Sequence, residues 1–159
     1  MFARLGIICL LAVASNVLAM CDGAGCRCTA DTSGINFGIY DTLSNLSLDT
    51  TGMLTITCSV NRGDLSVSYR LELSNGKSST YLPREMKQDN DKLLYNLYSN
   101  AARSIIWGDG SETTQVIQES YTTQGSEKTK NYVIYARIFG GQKVKPGEYR
   151  DEVRATVIY

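Results

Sequence analysis

The sequence predicts an all-β fold, an antiparallel β-sandwich, and three observations lead to it. Apolar residues recur with a period of two, the spacing of a strand with one face in a core and one in water. Clusters of Gly, Asn, Asp and Pro punctuate those runs. No window carries the i, i+3, i+4 spacing of a core-facing helix; the helix formers at Ser99–Arg103 make one turn at most.

Taken in order, the chain opens MFARLGIICLLAVASNVLAM. A single positive residue, Arg4, precedes an apolar run, and Ala19 ends the stretch with a small residue. This has the form of a secretory leader covering residues 1–19, and it is too short and too weakly flanked for a membrane anchor. Lipidation at Cys21 would need a small residue before it, and Met20 is not small. Cleavage after Ala19 leaves residues 20–159 as one domain. In "MLTITCSV", Leu54, Ile56, Cys58 and Val60 alternate with Thr55, Thr57 and Ser59. In "LSVSYRLELS", Leu65, Val67, Tyr69, Leu71 and Leu73 do the same against polar neighbours. Leu93, Tyr95 and Leu97 share a face; so do Tyr132, Ile134, Ala136 and Ile138, and at the end Val153, Ala155, Val157 and Tyr159. Turn clusters separate them at Asn61–Asp64, Ser74–Gly76, Gly108–Gly110, Gly140–Gly141 and Pro146–Gly147. About seven strands at this spacing are a sandwich pattern. The polar stretch Ser111–Lys130 reads as a long surface loop or loose hairpin.

Composition narrows the chemistry. The chain has 16 Lys and Arg against 16 Asp and Glu, and Arg4 is the only charged residue of the leader. A balance so near neutral gives no electrostatic reason for a nucleic-acid partner. There is no histidine, so Ser-His and Cys-His nucleophile pairs and the commonest zinc ligand are absent. No cofactor, metal or small-molecule substrate is implied, and the protein is not expected to be an enzyme. A carboxylate-only hydrolase would need a fixed acid pair, and no motif fixes one among Asp89, Asp91, Asp109 and Glu112. Of the five cysteines, Cys9 leaves with the leader. Cys21, Cys26, Cys28 and Cys58 then make two disulfides, with three possible pairings. Cys26 and Cys28 are too close to join each other comfortably. The expected pairing is Cys28–Cys58, with Cys21–Cys26 closing a small N-terminal loop.

The stretch "LLYNLYSNAARSIIWGDGSE", Leu93 to Glu112, admits three readings. Tyr95, Tyr98 and Trp107 could form a surface aromatic platform for a sugar. Asp109 and Glu112 could belong to a calcium loop, although such loops use more acids. The aromatics could instead be core residues beside a tight turn, which their interleaving with Leu and Ile favours.

The order of motifs resembles the spore coat protein U domain family, which includes subunits of archaic chaperone–usher pili. A cysteine is followed by "INFGIYD" (Ile35–Asp41), "LDTTGMLTITCS" (Leu48–Ser59), "LLYNLYSNAARSIIWGDG" (Leu93–Gly110), "IYARIFGGQKVKPGEYRDEV" (Ile134–Val153) and a terminal strand ending in tyrosine. The resemblance implies an immunoglobulin-like sandwich lacking its last strand. It implies an exported structural subunit, assembled through the periplasm at the cell surface by donor-strand complementation. A periplasmic chaperone, an outer-membrane usher and other pilus subunits would be the partners. By analogy the groove would be lined by Ile35, Phe37, Val153, Ala155, Val157 and Tyr159. A donor segment needs alternating apolar residues, whereas "MCDGAGCRC" after the leader has none, so the resemblance points to a tip or accessory subunit. A spore or cyst coat protein and a secreted carbohydrate-binding adhesive module are the rival expectations.

Overall fold

The computed structural model describes residues 6–9, 26–60, 64–124 and 127–158. Cys21, Tyr159 and the side chain of Cys26 lie outside the described residues, and with them the Cys21–Cys26 pairing. Ten strands run in the order β1 (Gly6–Cys9), β2 (Cys26–Thr32), β3 (Ile35–Ile39), β4 (Leu48–Val60), β5 (Asp64–Leu73), β6 (Arg84–Gln88), β7 (Asp91–Tyr98), β8 (Ile117–Gln124), β9 (Lys128–Ile138) and β10 (Ala155–Ile158). No described residue is helical. A five-stranded sheet, β2-β4-β9-β7-β6, and a three-stranded sheet, β10-β5-β8, form the sandwich, with a separate pair β1-β3. Every strand-to-strand ladder is antiparallel.

The period-two faces become the two sides of one core. Leu54, Ile56 and Cys58 from β4 are buried with Leu93, Tyr95 and Leu97 from β7 and Ile134, Ala136 and Ile138 from β9. Val67, Tyr69, Leu71 and Leu73 of β5 come from the opposite sheet. Trp107 joins the layers: its indole N–H donates to the Leu71 carbonyl at 3.1 Å, and its backbone N–H to the Leu97 carbonyl at 3.0 Å. Cys28 and Cys58 face each other across the β2–β4 ladder, their Cα atoms 4.0 Å apart, and are disulfide-bonded as expected. At the far edge, β6 is covered. Lys87 N–H donates to the Arg150 carbonyl at 2.9 Å, and Arg150 N–H donates back to the Lys87 carbonyl at 3.1 Å.

Two expectations need correction. Ser111–Lys130 is not mainly loop, because β8 and the start of β9 lie within it, and they belong to different sheets. The alternation in β8 was hidden because Glu119 occupies a position where an apolar residue is expected. Tyr132 donates to the Glu119 carboxylate at 3.0 Å, Lys130 pairs with it, and Tyr69 lies 2.6 Å from the Tyr132 hydroxyl. With Tyr132 donating to Glu119, Tyr69 is the donor to Tyr132. The final strand, in turn, begins at Ala155, not Val153. Arg154 N–H is spent on the Ser74 hydroxyl and Glu152 N–H on the Asp151 carboxylate, side-chain acceptors that take the place of ladder carbonyls.

The tyrosine layer predicts an alkaline limit. Burial pushes the Tyr69 hydroxyl up from 10.0 to about 12. Burial, with a bond to Asp109, does the same for Tyr81. In the unfolded chain these groups ionise near pH 10. Their folded pKa is raised, so the stability they contribute is present below pH ~10 and lost as pH climbs towards ~12. The melting temperature is expected to fall between about pH 10 and about pH 12, with a shallower fall for Tyr69→Phe. Melting followed by tyrosinate absorbance checks it, and a flat profile would remove the argument.

Candidate strand-acceptor edges

Strand β3 is held to the core by side chains and has no ladder with either sheet of the sandwich. Ile35 is fully buried and Phe37 nearly so, whereas Asn36 and Gly38 face outward. At its end the Tyr40 hydroxyl donates to the Phe139 carbonyl at 3.0 Å and accepts from Gln142 N–H at 2.9 Å. At its start Ser33 N–H donates to the Met53 carbonyl at 3.0 Å, and Met53 N–H donates to the Ser33 hydroxyl at 2.9 Å. Gly38 takes a positive φ of 74°, and its N–H turns onto the Asn36 side chain at 2.8 Å. Backbone contact with β4 comes close at one point. A Cβ on Gly52 would stand 2.6 Å from Cγ1 of Ile35. Gly52→Ala is therefore expected to push β3 off the core at a cost of about 1–3 kcal/mol, read as a lower urea midpoint.

Among the described residues β3 has one ladder partner, β1. Gly6, Ile7, Ile8 and Cys9 pair with Ile39, Gly38, Asn36 and Ile35, with an irregularity between Ile7 and Ile8. Sequence reasoning missed this pairing, although the apolar run was plain, because a leader needs the same residues. Strand β10 is an edge as well. Ala155, Thr156, Val157 and Ile158 pair with Leu73, Glu72, Leu71 and Arg70 of β5, and no strand among the described residues lies on the other side. Val153 is fully buried, Val157 nearly so, and Ala155 half-buried.

A chain of contacts links the two edges. The Phe37 ring packs edge-on to Tyr95, with centroids 6.2 Å apart. The Tyr95 hydroxyl donates to Asp151 at 2.6 Å, two residues before Val153. Asp151 is buried and also accepts from Lys77 N–H at 2.8 Å. Beside it lies Arg84, fully buried in β6. It donates to the Ser74 carbonyl at 3.0 Å, to the Asn96 side chain at 2.7 Å and to the Trp107 carbonyl at 2.7 Å, and sits 4.9 Å over the Tyr81 ring. Burial lowers the Arg84 pKa, and Tyr95, Tyr81 and the charge of Asp151 oppose this.

The stretch around Trp107 is scaffold. Trp107 and Tyr95 are fully buried and Tyr98 is 6% exposed, so the surface aromatic platform is not built. Tyr95 and Trp107 belong to the core, and Tyr98 is buried on the other face of β7, where its backbone bridges to Ile106. Asp109 accepts from Ser111 N–H at 2.9 Å and the Ser111 hydroxyl at 2.6 Å, which hold its carboxyl below the usual range. Glu112 accepts from the Thr80 hydroxyl at 3.1 Å and Tyr81 N–H at 3.3 Å. Both acids tie turns together, and among the described residues no group of three or more His, Cys, Asp or Glu is placed to hold a metal ion.

The family model for the Spore Coat Protein U domain matches residues 11–156. A curated relative is Protein U of Myxococcus xanthus, 29% identical over 147 residues, covering 86% of this chain and 79% of the relative. Among solved structures, the fold is similar to a chain in the CsuC-CsuE chaperone-tip adhesion subunit pre-assembly complex, from the archaic chaperone-usher Csu pili of Acinetobacter baumannii. The TM-score is 0.57 at 24% identity, over 84% of this chain and 40% of that one. The present chain thus spans well under half of that chain's length.

Proposed function

The chain belongs to the Spore Coat Protein U domain family, and from that premise we propose that it is an exported structural subunit of a chaperone–usher pilus. One observation carries the reading. Among the described residues β3 has its one ladder with β1, which falls in the stretch read as a leader, while β10 is an open edge. With residues 1–19 removed as a leader, β3 would lose that ladder, and β3 and β10 would each offer an unpaired edge to a foreign strand. Main-chain bonds would supply general affinity and alternate apolar side chains specificity. Each apolar plug residue buried contributes about 1.5–3 kcal/mol. A periplasmic chaperone supplies such a strand first and a neighbouring subunit later, at an outer-membrane usher. Residues 20–28, "MCDGAGCRC", lack apolar alternation, which supports a tip or accessory position, receiving a strand without passing one on. Ile35, Phe37, Val153, Ala155, Val157 and Tyr159 are the groove residues in this reading.

Co-expression with a periplasmic chaperone tests it. A stable one-to-one complex is expected, with insoluble product when the chaperone is left out. A mature chain of residues 20–159 that is soluble, monomeric and melts cooperatively without help would favour a coat protein that closes its own fold.

A further inference from the structure

We propose that the outer face of the five-stranded sheet carries a ligand site, an apolar groove over β7 that takes a small carboxylate with an aromatic or aliphatic body. The site is built from side chains on a sheet face, not from a strand edge, so it does not depend on strand addition.

The register assembles it. In β7, Asn96 and Tyr98 alternate with the core residues Tyr95 and Leu97, and in β9 Tyr135 and Arg137 alternate with the core residues Ala136 and Ile138. Asn96 pairs with Arg137 and Tyr98 with Tyr135, so Arg137 is the diagonal neighbour of Tyr98 on the same face. Leu82, Pro83, Ile106 and Phe139 surround a floor of Asn96 and Tyr98, around a space of about 350 Å³. A space of about 150 Å³ holds benzene, so one ring with a short chain fits here.

The polar groups of the groove select its ligand. Asn96 is spent, since its side chain accepts from Arg84 at 2.7 Å and donates to the Tyr81 carbonyl at 2.8 Å. Tyr98 differs. It is 6% exposed, and its hydroxyl has no hydrogen-bond partner among the described residues, yet it is not sealed from solvent. Burial raises its pKa against the pull of Arg137, so at neutral pH the phenol keeps a proton to donate. Beside it, Arg137 gives Nε and Nη2 to Asp49 at 2.7 Å and 2.9 Å, and Arg103 reaches the same carboxylate at 3.2 Å. Two guanidinium groups thus share one acid, which leaves one positive charge unbalanced next to the groove. Apolar walls, one open donor and a surplus cation suit an anion with an apolar body. A sugar, with hydroxyls on every side, would leave most of them unpaired here.

Titration of the isotope-labelled, refolded full-length protein with phenylpropionate, followed by NMR, tests this. The amides of Asn96, Tyr98, Ile106 and Arg137 are expected to shift together with a dissociation constant of order 1 mM, while those of Leu54 and Ile56 in β4 stay in place. Phenylpropanamide, of the same shape without the charge, is expected to bind at least about tenfold more weakly. Tyr98→Phe is expected to weaken the acid about tenfold and to leave the urea midpoint unchanged, because the hydroxyl has no protein bond to lose. Equal affinity for acid and amide overturns the proposal, as does acid binding untouched by Tyr98→Phe. A lower urea midpoint for Tyr98→Phe also overturns it, since the hydroxyl would then serve the fold. So does the absence of shifts at the groove amides in about 10 mM acid.

Discussion

Arg84→Met is expected to lower stability by about 3–5 kcal/mol, the cost of breaking a buried charged network from one side. Methionine fills much of the same volume, so the loss is polar. The guanidinium satisfies three acceptors from three parts of the chain: the Ser74 carbonyl after β5, the Asn96 side chain in β7 and the Trp107 carbonyl. Arginine suits the task because its planar fork presents several donors at fixed angles and stays charged when desolvated. Without it, the carbonyls of Ser74 and Trp107 lose a donor in a buried place, and Asp151 loses a nearby positive charge. A fall in melting temperature of roughly 10–20 °C is expected, with little change in denaturant slope. Arg84→Lys should recover only part of this, since one ammonium cannot reach all three acceptors in the same geometry. A shift under about 1 kcal/mol in Arg84→Met would show that water replaces the guanidinium, and that the network is not what joins these turns.

Replacing both Cys28 and Cys58 by alanine is expected to cost about 3–4 kcal/mol in the chain-entropy account. The bridge spans a sequence separation of 30 and pins β2, an edge strand whose one ladder is with β4. The wild-type protein in reducing buffer should match the double variant in urea midpoint. If the variant matches the oxidised protein instead, the β2–β4 ladder is sufficient alone. A mature chain made in a reducing compartment would then fold as well as one exported, contrary to expectation.

Much of the sandwich was legible because alternation and burial coincide. β4, β5, β7 and β9 present the predicted inward residues, the side chains of Val60 and Leu65 lying outside the described ones, and of the two expected disulfides Cys28–Cys58 is present. What escaped did so for local chemical reasons. In β6 the first inward position is Arg84 and in β8 it includes Glu119, so the apolar signal was interrupted where a hydrogen-bonded network replaces a hydrophobic contact. Asn96 and Tyr98 are buried on the second face of β7, which makes that strand two-sided where a half-exposed strand was read. Ile35 and Phe37 could be placed at the candidate site only through resemblance, since five residues around a positive-φ glycine hold too little pattern. β1 could not be read at all. Hydropathy is the same whether a segment enters a membrane, is cut away or lies against a neighbouring strand.

The doubly bonded pair Lys87–Arg150 gives the molecule a grain. A visiting backbone that reaches that flank finds these amides and carbonyls already engaged, so extension there stalls. Under the proposed pilus reading, strand addition would then fall to the β3 and β10 edges and not to the β6 flank.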